Sequence, residues 1–340
     1  MHSKGQLQSI TLSKPFIQKG VLAMADLLDN PNPDRPLTIA DFGCSTGANS
    51  SAAVDIIISE IRRLKKNQFT SSVVVVHEDL PKNNWSEFFN YVYNDPASYL
   101  KSHPGVTLLA SGQSFYEQVL PPNTLHFGFC HASLHWMSHL PTKLAHHCYI
   151  SWATPHEWDL CRQQAAKDWK AFLRARASEL VAGGVLVVNV WHLEESEFMF
   201  DAVFRAGENL REKGILTEEE LMDFNIRAFP RTLEEVTEEG VLGEFGFRLV
   251  EAYRYPPVRN VYYEAFVKDG DLEGFVEDFG AILSVVNEPT FMTALSLNRT
   301  PEEKKNICSQ MWTEYKNLLR QQPNKCQNLW GSSFIVLKHI

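Results

Sequence analysis

The stretch Leu37-Thr-Ile-Ala-Asp-Phe-Gly-Cys-Ser-Thr-Gly47 decides the fold that this chain can adopt. Its apolar run ends in Asp41, a turn with two glycines follows, and a helical pattern begins near Ser50. A glycine in such a turn lets the backbone approach a ligand closely, because no Cβ stands in the way. The N–H groups of the turn and of the helix start can donate hydrogen bonds to that ligand. The segment therefore predicts a strand, a ligand-binding turn and a helix.

A second apolar run with an acidic end strengthens this prediction. Residues 72–79 read Ser-Val-Val-Val-Val-His-Glu-Asp, which is typical of a fully buried parallel strand that ends at Glu78 and Asp79. A carboxylate at the tip of such a strand can accept hydrogen bonds from both hydroxyls of a ribose. The spacing D-x-G-x-x-x-G differs from the dinucleotide fingerprint G-x-G-x-x-G and is similar to the first motif of Rossmann-fold methyltransferases, whose ligand is S-adenosylmethionine. The two runs together favour this interpretation over a plain structural turn.

The composition is that of an ordinary globular protein and argues against several classes of partner. The 340 residues are 44% hydrophobic and 21% charged, which provides ample apolar surface for a core. A net charge of −9 argues against nucleic acid or an anionic membrane as the main partner. The amino terminus has no apolar signal region, and no apolar run approaches the length of a membrane span. The six cysteines are scattered without a C-x-x-C pair, so we expect a cytoplasmic protein with reduced thiols.

The first two-thirds of the chain alternate between strand and helix patterns. Such alternation predicts a parallel α/β sheet. The helix before the fifth strand has apolar residues at i, i+3 and i+4 spacing, and Gly183 stands where its C-cap is expected. The candidate strands are residues 37–42, 72–77, 106–110, 125–130, 185–190, 247–253 and 332–338.

A change of pattern late in the chain predicts a helical cap over the sheet. Residues 191–241 are rich in glutamate and show helical periodicity with no strand signal, so we interpret them as an insertion at the ligand-binding edge. Residues 1–190 plus 242–340 then form an S-adenosylmethionine-binding domain, with helices expected near 271–286 and 301–320. The expected fold class is α/β, with a Rossmann-like class I methyltransferase sheet and a helical cap.

The region between the third and fourth strands and the segment after the fourth carry the most specific motifs. They contain Gly112-Gln-Ser-Phe-Tyr116 and Ser133-Leu-His-Trp-Met-Ser-His-Leu-Pro141. These stretches closely resemble the G-S-F-Y and S-L-H-W-[LM]-S-x-x-P motifs of the SABATH carboxyl methyltransferases, the enzymes that methylate salicylate, benzoate, jasmonate and related acids. Further matches, from Ser3-Lys-Gly-Gln6 near the start to Glu235-Val236, extend the resemblance over nearly the whole chain.

The resemblance implies a cofactor and the residues that bind it. The cofactor would be S-adenosyl-L-methionine, with Phe115 and Leu80 beside the adenine, an apolar plane suited to such walls. The family is commonly homodimeric, which implies a homodimer here. The positions that match cofactor contacts of the family are Ser3, Asp41, Gly43, Asn49, Asp79, Leu80, Ser114 and Phe115.

Three further residues fall on positions that the family uses at the reacting carboxylate. Gln6 and Trp136 match the residues that hold the substrate carboxylate, and His135 falls beside them on the pocket wall. The indole N–H and the amide NH2 are donors, so each can bind one carboxylate oxygen and leave a lone pair aimed at the methyl group. A carboxylic acid is already ionised at neutral pH, and no general base is then needed. The predicted activity is methyl transfer to the free carboxylate of a small organic acid.

Departures from the family pattern concern the substrate pocket and a metal site. Ala132 stands where the family usually has tyrosine, and His131 stands where it often has serine. Loss of a phenol ring enlarges the pocket and favours a bulkier or dicarboxylic acid over benzoate, unless side chains near Phe198 and Phe229 refill the gap. Where some relatives have a magnesium-binding aspartate this chain has Met222, so we expect no metal.

Other functions stay open at this point. His131, His135 and His139 are spaced i, i+4 and i+8 and would line one face of a helix, as in the zinc site of a hydrolase. The H-E-x-x-H pattern is absent, however, because Ala132 follows His131 where the glutamate base would stand. A serine hydrolase would need a G-x-S-x-G elbow, which the chain lacks. N-methylation, as in the caffeine-forming relatives, and a non-catalytic cofactor-binding protein are the remaining alternatives.

Overall fold

One sheet of seven strands forms the centre of the molecule. The computed structural model describes residues 4–29, 35–66, 71–192, 197–329 and 331–340, with side chains from Ile10 onward. The strands are β1 (Leu37–Phe42), β2 (Val73–Asp79), β3 (Thr107–Gly112), β4 (Leu125–His131), β5 (Leu180–Trp191), β6 (Phe247–Tyr255) and β7 (Ser332–His339). Their order across the sheet is β3-β2-β1-β4-β5-β7-β6.

The directions of the strands bring several carboxyl ends to one edge of the sheet, called the ligand edge below. Neighbouring strands from β3 to β5 are parallel, whereas β7 is antiparallel to both β5 and β6. It follows that β6 runs in the same direction as β5. Every residue of β1 is buried, as expected for a strand that is covered on both faces. Open α/β sheets bind their ligands at the carboxyl ends of such strands.

Helices cover both faces of this sheet. They are α1 (Lys4–Ala23), α2 (Ala25–Asp29), α3 (Ala48–Leu64), α4 (Trp85–Asn94), α5 (Tyr99–Ser102), α6 (Pro155–Glu179), α7 (Glu197–Glu212), α8 (Glu218–Asp223), α9 (Leu233–Thr237), α10 (Glu239–Glu244), α11 (Val261–Asp269), α12 (Leu272–Ala294) and α13 (Pro301–Gln321). Side chains alternate between the two faces of a strand, so Ile39 joins the core of α1 and α3, whereas Ala40 joins that of α6. No helix in these ranges is long and apolar enough to cross a membrane.

Four helix starts are fixed by the same local motif. Thr154, Thr217, Thr232 and Thr300 each accept a hydrogen bond from the backbone N–H of the glutamate three residues later. The glutamate carboxylate accepts the threonine N–H in return, and this capping box satisfies two donors that a helix start leaves unpaired. The pattern T-x-x-E therefore marks where α6, α8, α9 and α13 begin.

The helix α6 ends earlier than the glycine pair indicates. The prediction that Gly183 caps this helix is wrong, because α6 ends at Glu179 and Gly183 lies within β5 with a φ of +81°. The helix end needs no glycine, since the backbone N–H groups of Asn123 and Thr124 donate to the carbonyls of Ser178 and Glu179 at 3.1 and 2.9 Å. A tertiary contact thus satisfies the carbonyls that a glycine C-cap motif usually serves.

A second apolar core is built from helices and loops outside the sheet and extends beyond residues 191–241. Side chains of α7 and α8 share it with α11, α12 and α13, for example through Phe204, Leu221, Phe279 and Met311. The last three helices follow residue 242 in the chain but pack with the predicted cap. The boundaries of the two predicted domains stay a prediction.

Candidate functional site

The glycine turn after β1 packs against β2 and against the S-L-H-W segment (residues 133–141). The backbone N–H groups of Gly43 and Cys44 both donate to the carbonyl of Glu78 at 2.9 Å. Gly43 has a φ of +92°, and a Cβ at this position would lie 2.2 Å from the Oγ of Ser133, so only glycine fits. The turn that is predicted to bind the cofactor therefore touches the segment that is predicted to bind the acid.

Three carboxyl groups lie beside this turn, namely Asp41, Glu78 and Asp79, called the carboxylate cluster below. Burial raises the pKa of Asp41 to about 7; the hydrogen bond from Ser50 opposes this, and the charge of Asp79 adds to it. Burial and then the charge of Asp79 raise the pKa of Glu78 to about 9, with Arg176 opposing. Burial is thus the main cause that disfavours the ionised forms of these carboxyl groups, and the charge of Asp79 adds to it at Asp41 and Glu78.

The carboxylate cluster fits a ligand that carries positive charge. S-adenosylmethionine has an ammonium and a sulfonium group, and a cation beside these carboxylates relieves their mutual repulsion. The carboxylate of Asp79 accepts hydrogen bonds from the N–H groups of Ser45 and Leu80 at 2.7 and 2.8 Å, which orients it and leaves lone pairs for ribose hydroxyls. The sequence predicted Glu78 only as the end of a strand. In the structure, the Oε1 atom of Glu78 is buried without a hydrogen-bond partner within the cluster.

Binding of S-adenosylhomocysteine, the demethylated cofactor, is expected to strengthen as the pH rises from about 6 to about 8. Its ammonium group favours an ionised carboxylate, and the raised pKa of about 7 keeps Asp41 mostly protonated below that pH. The dissociation constant should fall by about tenfold over this range. Calorimetry at both pH values measures it, and Asp41→Asn should bind weakly and equally at both. If the affinity of the wild-type protein for S-adenosylhomocysteine is the same at both pH values, this role for Asp41 is contradicted.

The loop after β3 and the residue after β2 bring further predicted cofactor residues to the same place. Gly112, the last residue of β3, pairs with Asp79 in the sheet, and Ser114 and Phe115 follow it after Gln113. Leu80 follows Asp79 and is 37% exposed, so its side chain is accessible to a ligand at the ligand edge. These positions agree with the predicted adenine-binding role of Phe115 and Leu80, which stays a prediction.

Of three other predicted residues, only Asn49 is fully described. Asn49 lies in the first turn of α3, directly after the glycine turn. Gln6 lies within α1, but its side chain is outside the described part of the chain, and Ser3 lies outside it altogether.

A buried ion pair on α6 anchors the loop that carries Phe115. The guanidinium of Arg176 binds both carboxylate oxygens of Glu179 at 2.8 Å, and both side chains are fully buried. It also donates to the carbonyls of Phe115 and Glu117 at 2.8 and 2.9 Å and lies 3.9 Å from the ring centre of Phe42. Sequence reasoning missed this role, because an R-x-x-E spacing on a helix usually marks an exposed i, i+3 pair.

The first part of the S-L-H-W segment forms turns, not the helix that the spacing of its histidines predicted. The N–H of Phe229 donates to the carbonyl of His135 at 2.7 Å, and the hydroxyl of Tyr116 donates to the carbonyl of Trp136 at 2.7 Å. Because the segment is not helical, its carbonyls have no hydrogen-bond partners within a helix, and these bonds supply them. They also fix the position of Trp136, the predicted carboxylate donor.

The prediction that His131, His135 and His139 share a helix face is wrong. His131 is the last residue of β4, and the other two lie in the turns that follow. The ring of His135 is buried and stacks on Trp191, with 3.9 Å between ring centres. Burial, then the charges of Arg231 and His131, lower the pKa of His135 to about 3, so its ring is neutral at physiological pH. Across the described ranges, no three histidine, cysteine, aspartate or glutamate side chains form a potential metal site.

The predicted pocket residues come from the sheet and from the helical core. Ala132 directly follows His131 and has a φ of +52°, a left-handed conformation that is uncommon for a residue other than glycine. Phe229 packs on Trp158 with 5.0 Å between ring centres and is held beside the S-L-H-W segment by its backbone hydrogen bond. Phe198 lies on α7 and packs against the helical core. Their role as a pocket stays a prediction.

The sheet order, the glycine turn and the carboxylate cluster define a class I methyltransferase fold. A comparison with solved structures agrees. The chain matches a loganic acid methyltransferase solved with S-adenosylhomocysteine at a TM-score of 0.77, with 98% of this chain and 94% of that one covered at 23% identity. A likeness at this level of identity shows the fold, and it confirms the predicted fold class.

The chain belongs to the family of S-adenosylmethionine-dependent carboxyl methyltransferases, since the model of that family matches residues 1–269. Loganic acid O-methyltransferase of Catharanthus roseus is 29% identical over 248 residues, which cover 67% of this chain and 65% of that protein. Salicylate carboxymethyltransferase of Clarkia breweri is 28% identical over 300 residues, covering 82% and 79%. The chain thus spans less than two thirds of the length of the first of these relatives. The predicted SABATH resemblance is confirmed.

Proposed function

We propose that this protein transfers the methyl group of S-adenosylmethionine to the free carboxylate of a small organic acid and so forms a methyl ester. One observation carries the proposal: the glycine turn beside the carboxylate cluster packs directly on the S-L-H-W segment, at Gly43 and Ser133. A cationic cofactor at the carboxylate cluster would then lie next to an anionic acid at Trp136. Opposite charges cancel as the methyl group moves from sulfonium to carboxylate, and a water-excluded pocket favours that cancellation.

The side chains around this contact can position both reactants without a general acid or base. Bound S-adenosylmethionine supplies a methyl group that its sulfonium charge activates. Asp41 offers its carboxylate to the ammonium group, and Asp79 offers its own to the ribose hydroxyls. Trp136 and Gln6 donate to the carboxylate of the acid, while the neutral His135 forms part of the wall. The rate enhancement then comes mainly from proximity and orientation.

The acid itself is proposed to be bulkier than benzoate, or to carry a second polar group. Ala132 supports this, because its methyl group stands where the family usually has a phenol ring. In an assay with benzoate, an aromatic dicarboxylate and a long aliphatic acid, Ala132→Tyr should lose activity on the larger acids. If benzoate is the best substrate and the substitution changes nothing, Ala132 does not shape the pocket.

A cytoplasmic homodimer is proposed as the working state. All six cysteines are buried free thiols, which suits a reducing compartment, and the dimer rests on the family resemblance. Light scattering measures the molar mass in solution, and a value near the 38.8 kDa of one chain would contradict the dimer.

An assay with methyl-labelled S-adenosylmethionine tests the proposed activity. After dialysis against EDTA, the protein should still transfer label to at least one acid of that panel, and mild alkali should release the label as it does from esters. Asp79→Ala should bind S-adenosylhomocysteine about tenfold more weakly, the cost of one charged hydrogen bond. Label that enters a neutral purine and resists alkali would indicate N-methylation. Activity that EDTA abolishes and zinc restores would indicate a metal enzyme.

A further inference from the structure

A cavity of about 190 Å³ lies at the ligand edge, next to the predicted acid site. Its walls include His192, which directly follows β5, and Arg254, the last residue but one of β6. Because β5 and β6 run in the same direction, both residues stand at the edge that carries the carboxylate cluster. The other walls come from α6 and from residues 229–235, at the start of α9.

Backbone contacts join this cavity to the S-L-H-W segment. The N–H of Phe229, a wall residue, donates to the carbonyl of His135 at 2.7 Å. The Nε of Arg231, another wall residue, donates to the carbonyl of Leu134 at 3.1 Å. The ring of His135 stacks on Trp191, whose neighbour His192 lines the cavity. The cavity therefore adjoins the site where the carboxylate of the acid is expected.

The cavity combines aromatic faces with charges of both signs. Trp158 and Phe229 supply the aromatic faces, with 5.0 Å between ring centres. The pKa of Glu234 is lowered by hydrogen bonds from its own backbone and from Thr232, then by the charges of Arg254 and His192. Carboxylate, guanidinium and imidazole groups thus line one cavity, with Glu234 and Arg254 at its solvent-exposed rim.

Arg231 adds a buried cation with an unused donor. This residue is 3% exposed. Nη1 donates to the carbonyl of Ala165 and Nε donates to that of Leu134. Nη2 is buried without a hydrogen-bond partner. A buried polar group in this state costs free energy unless a ligand or a water completes its bonds. Because Arg231 lies in the cavity wall, its guanidinium adds positive charge there.

We propose that this cavity is a subsite for the end of the acid that is remote from its carboxylate, and that it selects a group bearing hydroxyls; the proposal rests on the proposed function. A hydroxyl group both donates and accepts, so it can pair with the carboxylate of Glu234 and with the guanidinium of Arg254. A flat ring can pack on Trp158 at the same time. The volume equals that of about six water molecules, which suffices for such a group.

Other ends of an acid fit this cavity less well. A second carboxylate could pair with Arg231 or Arg254, but it has no hydrogen to donate to Glu234 and Glu235 in the same walls and is repelled by them. A purely apolar end would remove water from the charged groups and offer them no hydrogen bond. The mixture of donors and acceptors therefore selects a neutral polar group.

Matched pairs of acids test the subsite. The probes are benzoate and 3,4-dihydroxybenzoate, then cinnamate and 3,4-dihydroxycinnamate, with 4-carboxycinnamate as the dicarboxylate. Binding to the protein saturated with S-adenosylhomocysteine is measured by calorimetry, and kcat/KM is measured by methyl transfer. In at least one pair the dihydroxy acid should bind about tenfold more tightly than its parent, the size of one or two hydrogen bonds. Glu234→Gln should reduce this ratio about threefold or more, whereas Glu239→Gln, an exposed residue of α10 outside the cavity, should leave it unchanged.

Three results would overturn the subsite. Dihydroxy acids could bind no better than their parents at either length, or 4-carboxycinnamate could bind best. Glu234→Gln could also weaken every acid by the same factor, which would indicate a general structural role. The two proposals fail separately: a hydroxyl preference in binding without methyl transfer to any acid would refute the proposed activity and retain the subsite.

Discussion

Replacing Trp136 with phenylalanine is expected to lower kcat/KM for the acid by about a hundredfold or more, which is typical when one preorganised donor is removed. The substitution keeps most of the apolar wall but deletes the indole N–H that is proposed to bind the carboxylate. The backbone of Trp136 is held independently of its ring, because its N–H binds the carbonyl of Ser133 at 3.0 Å and its carbonyl accepts the hydroxyl of Tyr116. The fold should therefore survive the change.

Steady-state kinetics and calorimetry together separate this role from a structural one. The affinity for S-adenosylhomocysteine should stay nearly unchanged in Trp136→Phe, since the cofactor is proposed to lie at the carboxylate cluster. Trp312→Phe is a matched control, because Trp312 is buried in the helical core, and it should alter neither quantity by much. Equal losses of kcat/KM and cofactor affinity in Trp136→Phe would show that the indole only supports the fold.

Replacing Arg176 with methionine is expected to lower the free energy of unfolding by about 3–5 kcal/mol, the usual cost of removing one member of a buried ion pair. The change leaves the carboxylate of Glu179 without its bidentate partner in a site with no solvent exposure. It also removes the donors to the carbonyls of Phe115 and Glu117, so the loop that is proposed to wall the adenine loses its anchor.

The same helix offers a control for this prediction. Arg162 pairs with Asp159 at 3.7 Å with the same i, i+3 separation, but both side chains are more than half exposed. Arg162→Met should change the stability by less than about 1 kcal/mol, as exposed pairs do. Urea unfolding measures both variants. If Arg176→Met proved as mild as Arg162→Met, the buried pair would not anchor the loop.

Features that depend on nearby residues could be predicted from the sequence. The valine-rich run in β2 and the apolar run of β1 identify central parallel strands, because burial on both faces leaves little room for polar residues. The helices expected near residues 271–286 and 301–320 are present as α12 and α13, and the capping box at Thr300 fixes the start of the second. Asp41 and Asp79 were identified because the acidic ends of parallel strands meet at one edge.

Features that depend on distant contacts could not be predicted in this way. The end of α6 follows from carbonyls that Asn123 and Thr124 satisfy, which no pattern within the helix reveals. Arg176 resembles an ordinary surface arginine in sequence, and only the fold shows that it is buried against Phe42 and Phe115. The histidine spacing from the end of β4 onward suggested a helix, but hydrogen bonds to residues almost a hundred positions away, such as that from Phe229, hold the segment in turns.

Methyl transfer to an acid that carries oxygen-18 at both carboxylate positions tests the central claim most directly. Because a carboxylate oxygen is proposed to attack the methyl group, no bond to the acyl carbon breaks. We therefore expect mass spectrometry to show a methyl ester that retains both labelled oxygens. An ester that has lost one label would indicate acyl transfer by a hydrolase-like route, and the absence of ester from every acid tested would contradict carboxyl methylation itself.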